Sequence, residues 1–270
     1  LATSYAQLAV DAFGVPIENI RIVFGDSDRG SGFGSAGSRS LFTAGSAVKV
    51  AADRTVDAAK DLAAEALEAA TVDLEYRAGR IEVAGTDRGI GLFELAARQP
   101  GGRIFIDSTS SVSGPSWPNG CHIAEVEIDP DTGAVTLASY ASVNDAGRVV
   151  NPMIVEGQVV GGALQGIGQA LCEAVVYDAA SGQPLSASFM DYCLPRADMI
   201  GDFATVLDQG IPCVTNPLGV KGVGELGTIG ATPALVGAVA DALARNGRAA
   251  AADALQMPLT APRVWAALHG

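Results

Sequence analysis

Five glycines fall inside one helix-like run, Glu156-Gly157-Gln158-Val159-Val160-Gly161-Gly162-Ala163-Leu164-Gln165-Gly166-Ile167-Gly168-Gln169. Each glycine weakens a helix by about 1 kcal/mol relative to alanine. A helix that keeps several of them must let a neighbouring backbone or a ligand come close. Gln158 and Gln165 lie seven apart and share one helical face, where each amide can donate and accept. Close helix packing with solvent-facing amides is the plainer reading of the same run. The wider composition agrees with close packing: 33 glycines in 270 residues, with only 17% charged.

A second run, Lys221-Gly222-Val223-Gly224-Glu225-Leu226-Gly227-Thr228-Ile229-Gly230-Ala231-Thr232-Pro233, places one carboxylate among glycines. Backbone and ligand can approach Glu225 closely there. An apolar helix pattern follows over 234–243, and amides at a helix start face anions. A lone acid in a tight, poorly solvated pocket is how a general base is made. The simpler reading is a carboxylate that complements a helix dipole. Gly222, Gly224 and Gly227 also match G-x-G-x-x-G. No clear strand precedes that match, so a dinucleotide-binding loop lacks its context.

The third run, Gly32-Phe33-Gly34-Ser35-Ala36-Gly37-Ser38-Arg39-Ser40, could cradle a phosphate through successive amides and hydroxyls. It also reads as an ordinary surface loop. The net charge of −13 excludes a nucleic-acid binder that works through Lys and Arg, and it disfavours anionic membranes. No apolar run is expected to span a bilayer. Cys121, Cys172, Cys193 and Cys213 show no metal-type spacing and read as buried free thiols in a reducing cytoplasm. The start at Leu1, without Met, reads as a piece of a longer chain or a processed product.

The patterns predict an α+β fold with mixed sheets packed on helices in two subdomains, 1–115 and 116–270. Helices are expected over 4–13, 44–70, 90–98, 154–171, 234–243 and 263–268. Strands are expected over 19–24, 121–128, 134–144, 174–177 and 203–207, with a hairpin over 73–83 turning at Ala78-Gly79.

In their order, the three glycine runs resemble the molybdenum hydroxylases, the family of xanthine dehydrogenase, aldehyde oxidase and the large subunit of aerobic carbon monoxide dehydrogenase. Further matching blocks are Gly25-Asp26-Ser27-Asp28, Pro118-Asn119-Gly120-Cys121-His122, Ser188-Phe189-Met190-Asp191-Tyr192, Thr215-Asn216-Pro217-Leu218-Gly219 and Ala261-Pro262-Arg263-Val264-Trp265. The resemblance covers nearly the whole chain and implies a C-terminal molybdopterin-binding domain. It implies that Glu225 is the catalytic base, with a pKa raised by burial, in hydroxylation of an electron-poor carbon with water as oxygen source. The carbon would belong to an aldehyde or an N-heterocycle such as a purine.

The resemblance further implies that Ser35, Ala36, Gly37, Ser38 and Ser40 hold the pterin dinucleotide, in its cytosine form. Gln158 would reach the pterin and metal region, with Gly222, Val223 and Gly224 lining it, and no residue would ligate the metal. The rest of the molybdenum subunit, a [2Fe-2S] module and an FAD module would lie on other domains or subunits. The family's G-Q-G motif falls upstream of the segment that opens this sequence. The chain is therefore expected to be incomplete and inactive alone. A non-catalytic scaffold that binds pterin or a partner is the alternative.

Overall fold

The computed structural model describes residues 1–30, 32 and 34–270. Ser31 and Phe33 of the third glycine run lie outside the described residues. The chain forms two compact units: Leu1–Ser116 with Pro212–Lys221, and Trp117–Ile211 with Gly222–Gly270. The segment Pro212–Lys221, which the expected 115/116 division leaves with the second half, groups with the first unit.

In the first unit, α1 (Ala2–Phe13) ends at Gly14 in the left-handed conformation. After a long loop, α2 (Ser46–Leu67) is entered through a π-helical turn, Leu41–Gly45, and closes at Glu68, also left-handed. Ala59 and Ala63 on α2 are fully buried against the three-stranded antiparallel sheet β1 (Leu74–Arg77), β2 (Arg80–Val83) and β3 (Gly89–Gly91). Small alanines let the helix lie close to Leu74, Ile81 and Ile90. The β1–β2 turn is at Ala78 and Gly79, both at positive φ, as a two-residue hairpin demands. The expected helix over 90–98 is two elements, β3 and α3 (Leu92–Ala97), because Ile90 pairs with Ile81. The expected strand over 19–24 does not form. Its Val23 and Phe24 are exposed, and no ladder partner occurs among the described residues. A β-prone run without a partner stays merely extended.

In the second unit, β4 (Asn119–Ile128) and β5 (Val135–Asp145) form a long hairpin. Asp129 closes its turn by accepting from the Asp131 amide at 2.8 Å. β6 (Ile200–Asp208) adds to β5 in parallel. α4 (Pro152–Leu171) and α5 (Leu226–Arg245) pack with this sheet around Leu137, Tyr140, Ile167, Leu235, Val239 and Leu243. Two short helices follow, α6 (Ala249–Asp253) and α7 (Ala261–His269). The fold is α+β, as expected. The expected strand over 174–177 reduces to one bridge, Tyr177 with Pro184.

Helix α5 starts eight residues earlier than expected, at Leu226, and carries Pro233 inside it. Pro233 leaves the Ile229 carbonyl without its helical donor. Both residues are exposed, so water can serve that carbonyl. Contrary to expectation, α5 is long and apolar enough to cross a membrane by length and composition. In the structure its Leu235, Val239 and Leu243 face is fully buried in the second unit's core.

Candidate functional site

The first unit holds the serine loop. Gly37 and Ser38 both sit at positive φ, 58° and 55°, and the Arg39 amide donates to the Ala36 carbonyl at 3.2 Å. That geometry is a type I′ turn. It folds the chain so that the Ser35 and Ser40 hydroxyls hydrogen-bond to each other. Helical backbone begins at Ser40, and the Thr43 amide donates to the Arg39 carbonyl at 2.8 Å. The first amides of this helical run have no carbonyl within the helix to bond. The buried Tyr5 anchors the junction, donating its hydroxyl to the Ser40 carbonyl at 3.3 Å. Ser35, Ala36 and Gly37 are exposed, while Ser38 and Ser40 are half-buried.

The second unit holds Gln158 and the Gly222–Glu225 turn. Glu225 is the N-cap residue of α5, and its carbonyl accepts from the Ile229 amide at 3.1 Å. The dipole favours a carboxylate there. The tight, poorly solvated pocket expected around Glu225 is not built by the described residues. The early helix start leaves its side chain exposed, as is Gly224, while Val223 is half-buried and Gly222 buried.

Helices α4 and α5 run in the same direction at very close range. A Cβ on Gly227 would overlap the Val159 carbonyl and the Ala163 amide nitrogen, and one on Gly162 would lie 3.2 Å from the Thr228 amide nitrogen. One turn on, a Cβ on Gly166 would meet Ala231 at 2.9 Å. Thr228 then donates to the Gly162 carbonyl at 2.8 Å and Thr232 to the Gly166 carbonyl at 3.2 Å. Contacts that advance together along both chains define a parallel pair, so both positive helix ends lie at one end. Gln158, one residue before Val159, and Glu225, two before Gly227, both lie toward that end. Gly157 and Gly161 do not serve the packing: a Cβ at either would meet nothing within 4 Å. Together with the exposed Gln158 they form a face of α4 with almost no side chain. Gln165 is partly used by packing, 3.2 Å from the Thr228 hydroxyl.

The cysteines depart from expectation, because none is buried. Cys121 and Cys193 are exposed, and Cys172 and Cys213 half-buried, all as free thiols. Desolvation pushes the Cys172 thiol up to about 12, with Cys193 and Glu173 adding to it. A thiol held protonated is a poor nucleophile or ligand. Among the described residues no group of three His, Cys, Asp or Glu is placed to hold a metal.

A family model for the molybdopterin cofactor-binding domain matches residues 1–201. The chain belongs to that family. Its relatives are molybdenum hydroxylases. It is 38% identical over 256 residues to the 6-hydroxypseudooxynicotine dehydrogenase complex subunit gamma of Paenarthrobacter nicotinovorans, covering 90% of this chain and 32% of the relative. It is 34% identical to the carbon monoxide dehydrogenase large chain of Afipia carboxidovorans, covering 97% of this chain and 33% of the relative. Among solved structures, quinoline 2-oxidoreductase from Pseudomonas putida 86 superposes with a TM-score of 0.85 at 34% identity, covering 99% of this chain and 35% of that one. The cofactor-binding domain thus spans about a third of the length of the curated relatives it matches.

The residues present fit a phosphate-bearing pterin by their donor chemistry. The serine loop offers hydroxyls and helix-start amides, the groups that bind phosphate oxygens. The second unit offers an amide, a bare helix face and a carboxylate. The serine loop and Gln158 lie inside the segment that the family model matches, while Glu225 lies beyond it. One structural feature has no counterpart among the expected site residues, the polar cluster around His122 on β4. Its only signal was a histidine in an otherwise alternating strand.

Proposed function

We propose that this domain supplies the general base and part of the cofactor cradle of a molybdenum hydroxylase acting on an N-heteroaromatic substrate. The observation that carries the reading is Glu225 at the start of α5, exposed toward the same end of the helix pair as Gln158. The 38% identity to the 6-hydroxypseudooxynicotine dehydrogenase complex subunit gamma, against 34% to the carbon monoxide dehydrogenase large chain, supports that substrate class.

Each residue group has a distinct task. Ser35, Ser38 and Ser40, with the amides at Ala36 and Gly37, hold the phosphates of the dinucleotide, which we take to be the cytosine form. The Gln158 amide would hydrogen-bond the pterin, and the bare Gly157 and Gly161 face beside it would leave room for it. Gly222, Val223 and Gly224 bring backbone close without side chains. Glu225 takes a proton at a carboxylate oxygen from the water-derived hydroxyl that attacks the substrate carbon. When bound, the molybdenum pterin supplies the two-electron oxidation of that carbon. Iron–sulfur and flavin modules on other domains or subunits would carry the electrons away. The working enzyme would then be this domain together with the rest of its molybdenum subunit, in a cytoplasm that keeps its four thiols reduced.

The test is Glu225→Gln in the assembled enzyme, assayed with quinoline, nicotine, hypoxanthine, benzaldehyde and carbon monoxide. Turnover should fall by about 10²–10⁴-fold, with molybdenum content unchanged. Cofactor lost together with turnover would favour the scaffold reading. Turnover preferring benzaldehyde would remove the heteroaromatic assignment.

A further inference from the structure

Beneath the first turns of α5 lies a buried polar cluster that the cofactor reading does not use. Asn144, fully buried on β5, donates from Nδ2 to Ser142 Oγ at 2.9 Å and to Thr205 Oγ1 at 3.1 Å. Its Oδ1 then accepts from His122 Nε2 at 3.2 Å. In a neutral ring, Nδ1 then accepts from the Tyr140 hydroxyl, 2.5 Å away. Tyr140 is itself buried and stacked on Phe203, with centroids 4.9 Å apart. Turning the Asn144 amide over would exchange every donor and acceptor, yet His122 would remain neutral with both ring nitrogens bonded. Burial also disfavours the charged imidazole, against a smaller opposing effect of the Asn144 bond.

Helix α5 rests on this ring. A Cβ on Gly230 would lie 2.5 Å from His122 Cδ2, so the helix backbone touches the imidazole directly. One turn earlier, a Cβ on Gly120 would lie 3.2 Å from both Asn144 Oδ1 and Leu226 Cδ2. Leu226, Gly227, Thr228 and Gly230 are thus held against α4 on one side or the His122 cluster below, while Ile229 faces solvent. A satisfied buried polar network is rigid, whereas a broken one is costly.

We propose that His122 is a positioning residue for Glu225, its ring fixed between Tyr140 and Asn144 as the support that sets where α5 begins. This rests on the reading of Glu225 as the base. The first test is long-range proton–nitrogen NMR on the full chain labelled with 15N-histidine. The chain has two histidines, so His269→Gln assigns the spectrum. A single neutral tautomer at about pH 7 is expected; averaged tautomers or an imidazolium would overturn the proposal.

The second test is hydrogen exchange in His122→Phe and in the milder Tyr140→Phe. Peptides covering 226–231 should exchange about tenfold faster, with α2 unchanged. Exchange in 226–231 unchanged in both variants overturns the proposal. In the assembled enzyme, Tyr140→Phe should lower kcat on the substrate found above, with KM and molybdenum content kept. It should cost nothing further in a Glu225→Gln background; a fully additive loss counts against it. Wild-type turnover in Glu225→Gln would instead defeat the base reading, while the tautomer and exchange results still judge the His122 support.

Discussion

The 35–40 loop and the start of α5 both offer polar groups at a helix beginning, but they are held in opposite ways. The loop is shaped by a two-residue turn and a hydroxyl pair, and most of it is exposed. The α5 start is wedged between the α4 backbone, met at Gly227, and the His122 ring, met at Gly230. A loop of this kind can adapt to a phosphate whose oxygens accept from many directions. A base has to stand within hydrogen-bond reach of one proton, and rigid packing suits that task. The difference predicts that substitutions at the α5 start damage the fold and that those in the loop barely touch it.

The largest expected effect follows from Gly227→Ala. The added methyl meets backbone atoms that cannot turn away, so the helix pair must separate at a cost of about 3 kcal/mol. Thermal unfolding should drop by roughly 6–12 °C; a drop of under about 2 °C would show that the wedge is soft. Gly161→Ala, on the same helix pair but facing open space, should act in reverse. It should stabilise the chain by about 1 kcal/mol, while molybdenum content in the assembled enzyme, read by mass spectrometry, falls. Unchanged metal content would remove this bare face from the cradle.

What was legible in the sequence divides along the same line. The β4–β5 hairpin follows from alternation and from the turn chemistry of Asp129 to Gly133, and the serine loop from its composition. Helix α5 runs eight residues ahead of its expected start at Ala234, through Pro233, a residue disfavoured inside helices. Only the exposure of Ile229 and Pro233 explains why the helix tolerates it inside. The His122 cluster was out of reach for another reason. Pairing of β4 with β5 sets His122 opposite Ser142, with Tyr140 and Asn144 as its diagonal neighbours. No local pattern in β4 announces partners that depend on register.

That cluster should be visible in the pH dependence of stability. The folded chain disfavours the His122 imidazolium. As pH falls through about 6.5, the unfolded chain takes the proton first, so stability is lost. Stability from this group is therefore complete above that range and declines below it until the folded ring also protonates. Between about pH 7.5 and 5.5 the wild-type melting temperature should fall more than that of His122→Gln. Equal slopes would mean that the ring is not held neutral by the fold.

The smallest expected effect belongs to the loop. Ser38 is a non-glycine residue at a φ of 55°, a conformation costing a side chain about 1 kcal/mol. Ser38→Gly relieves that cost but adds about 0.5 kcal/mol of unfolded-chain entropy, leaving a gain of about 0.5 kcal/mol. The turn should therefore survive slightly more stable. Cofactor retention should still fall if the Ser38 hydroxyl contacts the dinucleotide. A loss of stability instead would show that Ser38 is held by packing, and the contrast between an adaptable loop and a wedged helix start would narrow.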